Sequence, residues 1–451
     1  MTQLDEAIAR YHRLLETDKY KDLGWAKALQ DQMTEQHLSG SASQVLPVLR
    51  PHLVTRRQYT NVVKAAEALL SAIDRVNKLA LSNPALLARM ELLPAEKMLA
   101  SVDPGYPFAA VTSLLDTQIS NGSLYFMQFN VAAPAGAASS ETLSDLYYNC
   151  PPVREFRRRY RLAKVGSLKY LLTALLSAYK TFGSKRHPRI AILEFRQPFQ
   201  VAVPGEFQLL AEFFRKAGYP TEVVSPDQLE YRNRKLVSGH FEIDLVYRRL
   251  TVQEFLVRFD LTHPLVRAYK EGSVCVVNSF RAELAYKKAI FDLLTDDTVT
   301  SSFPAAERKA IRQHIPWTRV VSATKTTYRD ETVDLPLFIR RNRESLVLRP
   351  NDVSTDQHAF VGTDTDERAW DRALHTALRD SYVVQERVAP APVPFPVYQF
   401  GSVEMRHMNV DVQPHIYLGK VQGCSSWLTE AGGGFSTLSG LAPTFILESK
   451  S

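Results

Sequence analysis

From residue 189 onward the chain switches repeatedly between two hydrophobic periods, and this switching restricts its fold more than any other feature. RIAILEF (189–195) is a short apolar strand pattern, EFQLLAEFFRKAG (206–218) repeats apolar residues at helical spacing, and TEVVSP (221–226) returns to a strand. IDLVYRR (243–249) and VCVVN (274–278) add two strands, and RAELAYKKAIFDLL (281–294) a further helix. LVLRPNDVSTDQHAFVG (346–362) then reads as strand, loop, strand, with YVVQERV (382–388) as a third strand. Strands alternating with helices predict an α/β fold containing a parallel-sheet unit.

Upstream, residues 111–119 and LYFMQFN (124–130) are strand patterns joined at Asn121-Gly122. Asn-Gly between two such runs is the strongest short-range signal for a β-hairpin, because both residues tolerate the positive φ of a tight turn. The first hundred residues are helical in period, with Leu4, Ala7, Ile8, Tyr11, Leu14 and Leu15 on one face, and show no evident chemistry. A basic helix is expected over 151–162, followed by a long helical stretch to about Tyr179. Pro-rich 389–395 reads as an extended connector and AGGGFST (431–437) as a flexible loop, since no lysine and no strand-to-helix context follow its glycines.

Composition narrows the function. At 451 residues, two or three packed units are expected. Fifty-five basic against 48 acidic residues give a net charge of +7, which suits an anionic ligand without demanding nucleic acid. Arg154, Arg157, Arg158, Arg159 and Arg161 form a basic cluster beside Phe156 and Tyr160, but no RNA-binding motif accompanies it, and it reads as a solvated helix face. Cys150, Cys275 and Cys424 are far apart, with neither metal-ligand nor redox spacing. With no membrane-length apolar run and no leader pattern, a cytoplasmic protein is expected.

Three segments in order carry a resemblance: the hairpin, with Asp116 and N-G-x-L-x-F-x-Q-F-N (121–130); IDLVYRR followed by VVNSFRAELAYKKAIF (276–291); and LVLRPND with VVQERV. Together they resemble the circularly permuted ATP-grasp proteins related to glutathionylspermidine synthase, over roughly residues 106–430. A helical N-terminal region (1–105), expected from its period and outside the resemblance, precedes metal-hairpin strands and basic helices (106–188). A small α/β unit (189–280), nucleotide-gripping subdomains (281–430) and a C-terminal tail (431–451) follow.

It further implies an ATP-dependent carboxylate–amine ligase that uses Mg2+, with small-molecule or peptide carboxylate and amine substrates. Asp116, Gln128 and Asn130 match the metal positions. Residues 128 and 130 share a strand face, as joint ligation requires. Lys288 and Arg349 match the phosphate contacts, Gln385 and Glu386 the adenine and ribose strand, and Arg249 and Arg349 the catalytic cations. Of the adjacent Arg248 and Arg249, at most one can face a substrate.

The sequence departs from the family pattern in three places. Gln128 stands where the family has glutamate and removes one negative charge from the metal site. Arg349 replaces a lysine, exchanging a point charge for a planar fork. Ser354, Thr355, Asp356 and Gln357 fill a loop that is otherwise glycine-rich, and Asp356 would bring a carboxylate towards phosphate. These departures leave a second expectation open: an inactive ATP-grasp relative acting as a binding or regulatory subunit beside an active paralogue.

Overall fold

The computed structural model describes residues 2–40, 43–120, 122–166, 168–183, 186–195, 205–352, 358–432 and 437–448. Its parallel sheet has the order Cys275–Val277, Leu245–Arg248, Ile190–Leu193, Thr221–Val224. Alternation along these strands separates two cores. Ile190, Ile192, Leu245, Tyr247, Cys275 and Val277 face Leu171, Leu175, Leu210 and Phe214 of the helices Leu168–Thr181 and Glu206–Lys216. Ala191, Leu193, Val246 and Val276 face the opposite way, against Phe255, Leu265 and Tyr269.

A second sheet has the order Thr318–Val320, Tyr382–Glu386, Leu346–Pro350, Phe360–Val361 and is antiparallel throughout. Trp370 and Leu374 of helix Glu367–Ala377 close one face of it. Gly362 follows its edge strand, and a Cβ there would lie 1.7 Å from the Arg343 carbonyl oxygen, so the backbones meet only because the residue is glycine.

The largest sheet runs Ser439–Ala442, Lys420–Glu430, Ser402–Tyr417, Thr112–Ser120, Ser123–Asn130, with Val393–Gln399 also paired to the 16-residue strand Ser402–Tyr417. Its hairpin packs Leu115, Phe126 and Phe129 against Leu69, Ile73 and Val76 of the long helix Arg56–Ser82 and against Ile290 and Leu294.

Several expectations are corrected. The predicted helix over 281–294 is interrupted. Glu283–Tyr286 and Ala289–Leu294 are separate helices, because the Lys288 amide donates to the Asn351 carbonyl (2.9 Å) and the Ala289 amide to Asn351 Oδ1 (2.8 Å). The basic helix ends at Phe156, and Arg161–Lys164 is a strand. The Pro-rich connector becomes strand from Val393, pairing along an edge where proline's missing N–H is tolerated. Residues 431–451, expected as a tail, supply the strands Ser439–Ala442 and Thr444–Glu448. The second of these buries Phe445, Ile446 and Leu447. It lies between His52–Thr55, to which it is parallel, and Arg161–Lys164, to which it is antiparallel. The N-terminal region is therefore not purely helical. Among the described residues no helix is long and apolar enough to cross a membrane.

Candidate active site

Asn278, the last residue of the VCVVN run, fixes the hairpin to the parallel sheet. Its Oδ1 accepts from the amides of Val111 (2.8 Å) and Thr112 (3.1 Å), and its Nδ2 donates to the carbonyls of Thr112 and Val131 (both 2.6 Å). One fully buried amide thus holds the hairpin where it enters and where it leaves. Between these points Asp116 stands opposite Gln128, and Leu114 opposite Asn130. The neighbouring long strand brings Asn409, Asp411 and Gln413 to the same side at a spacing of two. The result is a cavity of about 700 Å³ floored by carboxylates and amides.

Cations enter from the other units. Lys288 sits in the helix break made by Asn351 and points its amine at Gln128 Oε1. Arg349 lines the same cavity from the Leu346–Pro350 strand, and its Nε has no hydrogen-bond partner among the described residues. Arg249 approaches from the end of the parallel sheet, with its guanidinium 4.0 Å from Glu206 Oε1 and near the rings of Phe207 and Tyr247. Glu206 in turn accepts from the Ser139 amide (3.2 Å) and hydroxyl (2.7 Å) at the start of helix Ala137–Asn149. This carboxylate lies where the helix dipole favours negative charge.

The electrostatics are those of a partly buried, mixed-charge site. Burial pushes the Asp116 carboxyl up to about 6, against the opposing pull of the Gln413 amide (2.8 Å) and the Lys288 charge. Asp411 is raised to about 7, first by burial and then by the like charge of Asp116, with Arg349 acting the other way. Lys288 is lowered to about 7 by burial and by Arg349, while Asp116 and Asp352 favour its charged form. Arg349 is lowered by burial, and Asp411 offsets this.

The structure therefore brings Asp116, Gln128, Asn130, Arg249, Lys288 and Arg349 to one cavity. It does not bring Gln385 and Glu386 there. Gln385 is buried and donates to Thr318 Oγ1 (3.0 Å), while Glu386 accepts from the Tyr328 hydroxyl (2.7 Å). The cause is register: Glu386 pairs with Leu346 and Val383 with Arg349, which puts Glu386 roughly 10 Å along the strand from the guanidinium-bearing position.

Gln128, expected at a metal position, has partners of its own. Its amide oxygen faces the Lys288 amine and its Nε2 donates to the Tyr286 carbonyl (2.9 Å), so both ends of the amide are engaged. Arg248 is wholly buried, bonding Glu283 (2.9 Å) and the carbonyls of Asn278 and Leu250, and takes no part in the cavity. Asn121, Ser354, Thr355, Asp356 and Gln357, and residues 433–436, lie outside the described residues. Sequence reading missed Asn409, Asp411, Gln413 and Glu206. The polar–apolar alternation of NVDVQ (409–413) was the available signal for the first three.

No family model matches the chain, and no curated protein matches it in sequence. Among solved structures, a glutathione synthetase-like effector (GSS30) from Globodera pallida superposes with a TM-score of 0.59 at 14% identity, covering 93% of this chain and 96% of that one. The chain shares that protein's fold. Its mixed α/β architecture is the class expected from the sequence. A putative γ-glutamylcysteine synthetase from Methylobacillus flagellatus KT (12% identity, 85% and 86% coverage) and the ATP-grasp ligase PsnB (14% identity, 58% and 89%) superpose more loosely. Their TM-scores of 0.43 and 0.29 add nothing to the assignment.

Proposed function

We propose that this chain is an ATP-grasp ligase of the circularly permuted type related to glutathionylspermidine synthase, joining a carboxylate to an amine at the expense of ATP. The observation that carries the reading is the convergence of Lys288, Arg349 and Asp116, from three separate parts of the sequence, on one cavity. A triphosphate needs cations that are already desolvated and aimed, because phosphoryl transfer is catalysed mainly by positioning and charge stabilisation. Lys288 and Arg349 line the cavity from separate elements of the fold. Arg349 offers a fork suited to phosphate oxygens, and its Nε is unengaged by the described residues.

The donor set also fits the metal that such a fold implies. Asn130 and Asn409 each present a buried amide oxygen with no partner among the described residues, beside the carboxylates Asp116 and Asp411. Hard oxygens of this kind suit Mg2+. When bound, the ion supplies charge neutralisation at the phosphates. Arg249, beside Phe207 and Tyr247, is placed to orient the acceptor carboxylate.

The test is calorimetric titration of the full chain with ATP at saturating Mg2+. Micromolar affinity is expected in the wild type, weakened strongly in Lys288→Met and Arg349→Met. Absence of binding to the wild type at millimolar nucleotide overturns the reading.

A further inference from the structure

We propose that Asp411 supplies the second carboxylate of a divalent-cation site whose first carboxylate is Asp116, and that Gln128 acts not as a ligand but as the tether that aims Lys288. This rests on the nucleotide-site reading above and changes which residues serve it. A hairpin carrying glutamine at 128 has one carboxylate where a strong magnesium site wants two, and the missing charge comes from outside the hairpin. Asp411 lies on the adjacent strand Ser402–Tyr417, which pairs with Thr112–Ser120, and it faces the same cavity as Asp116.

Two observations support the assignment. Gln413 donates to Asp116 Oδ1 (2.8 Å) across the two strands and stands two residues from Asp411 on the same strand face, so the pairing sets both carboxylates beside one cavity. Asn130 Oδ1 and Asn409 Oδ1 are buried atoms without partners among the described residues, and both residues line the cavity that Asp116 and Asp411 line. Neutral oxygens left unsatisfied beside carboxylates complete a hard-donor set selective for Mg2+, Mn2+ or Ca2+ over thiophilic metals.

The fourth amide nearby, Gln128, is already engaged at both ends. Lysine is only a donor and a backbone carbonyl only an acceptor, so the contacts with Lys288 and Tyr286 fix which end of the amide is oxygen, and an oxygen that faces an ammonium is disfavoured as a ligand for a second cation. The same contact holds the buried Lys288 amine inward from the helix break. Glutamine at 128 thus trades a metal ligand for a positioning residue, and Asp411 restores the lost charge.

The experiment titrates Mn2+ into the full chain without nucleotide, read by electron paramagnetic resonance, with thermal melts verifying that each variant is folded. The wild type is expected to hold one ion. Asp116→Asn and Asp411→Asn should each weaken it by about tenfold or more, whereas Gln128→Leu should weaken it far less. Asp411→Glu, which keeps the charge, should bind more tightly than Asp411→Asn and serves if the asparagine variant does not fold. Wild-type Mn2+ affinity in folded Asp411→Asn, or no advantage of Asp411→Glu over it, overturns the proposal.

A fluorescent ATP analogue titrated into the same samples separates the two claims. If Mn2+ binds through Asp116 and Asp411 but nucleotide does not bind, the cation site stands and the ligase reading falls. If nucleotide binds while Asp411→Asn holds Mn2+ normally, the reverse holds.

Discussion

Replacing Lys287 by methionine removes the cation shared by Glu96 (2.7 Å) and Asp352 (2.5 Å), and all three side chains are buried. Two uncompensated carboxylates should cost about 3–5 kcal/mol of stability, read from a urea denaturation midpoint. The same exchange one residue later should behave oppositely. Lys288 is desolvated, so Lys288→Met should change stability by no more than about 1 kcal/mol while abolishing tight nucleotide binding. The sequence shows two adjacent lysines on a helical pattern and nothing to divide them except family resemblance. The division comes from Glu96, 191 residues away in the chain, which no local period can reveal. Gly362→Ala tests the close backbone approach at the gripping sheet. With a Cβ 1.7 Å from a carbonyl oxygen, a loss of about 3 kcal/mol or more is expected in equilibrium unfolding.

At the scale of elements, the hairpin, the parallel strands and the gripping strands were all legible, because each has a clean period and short, well-marked ends. The helix break at Lys287–Lys288 was not. It depends on Asn351 docking from a distant strand, so tertiary hydrogen bonding overrides a continuous helical pattern. The strand Ser402–Tyr417 was obscured by the proline-rich run before it and by Pro414 within it, so Asp411 escaped notice although NVDVQ alternates plainly. Thr444–Glu448 was hidden by its shortness, since five residues carry too little period to separate strand from tail. Its weight in the structure is testable. Phe445 is fully buried among Leu53, Leu162 and Tyr147, and Phe445→Ala should cost about 3–5 kcal/mol. Hydrogen exchange should quicken at His52–Thr55 and Arg161–Lys164 together, and unchanged protection at either strand would contradict the pairing.

For the whole molecule, acid and base groups buried in different units oppose one another. Burial lowers His12 and His415 to about 4 and His52 to about 3. The unfolded chain takes up protons below about 6.5 while the folded chain resists, so stability is lost as pH falls from 6.5. Burial raises Glu283 to about 7, even beside Arg248, and raises Asp116 and Asp411 likewise. These favour the folded state at low pH, and their contribution is lost as pH rises from the ordinary carboxylate range towards 7. The profile between pH 5 and 7 should accordingly be shallow, and a single histidine variant exposes one side of it. His52 bonds Ser426 Oγ at 2.7 Å, and His52→Asn keeps a polar partner there. Relative to wild type the variant should gain stability progressively as pH falls from 6.5 towards 4, measured by thermal unfolding, and a pH-independent difference would refute the assignment.

The pairing of Thr444–Glu448 with His52–Thr55 also sets an order of events during translation. A chain leaving the ribosome exposes Leu53 early and Leu162 later, yet the strand that covers both is made only when Thr444–Glu448 emerges. Through that interval the nascent protein carries an open apolar slot, the kind of surface that chaperones recognise and that invites a neighbouring nascent chain.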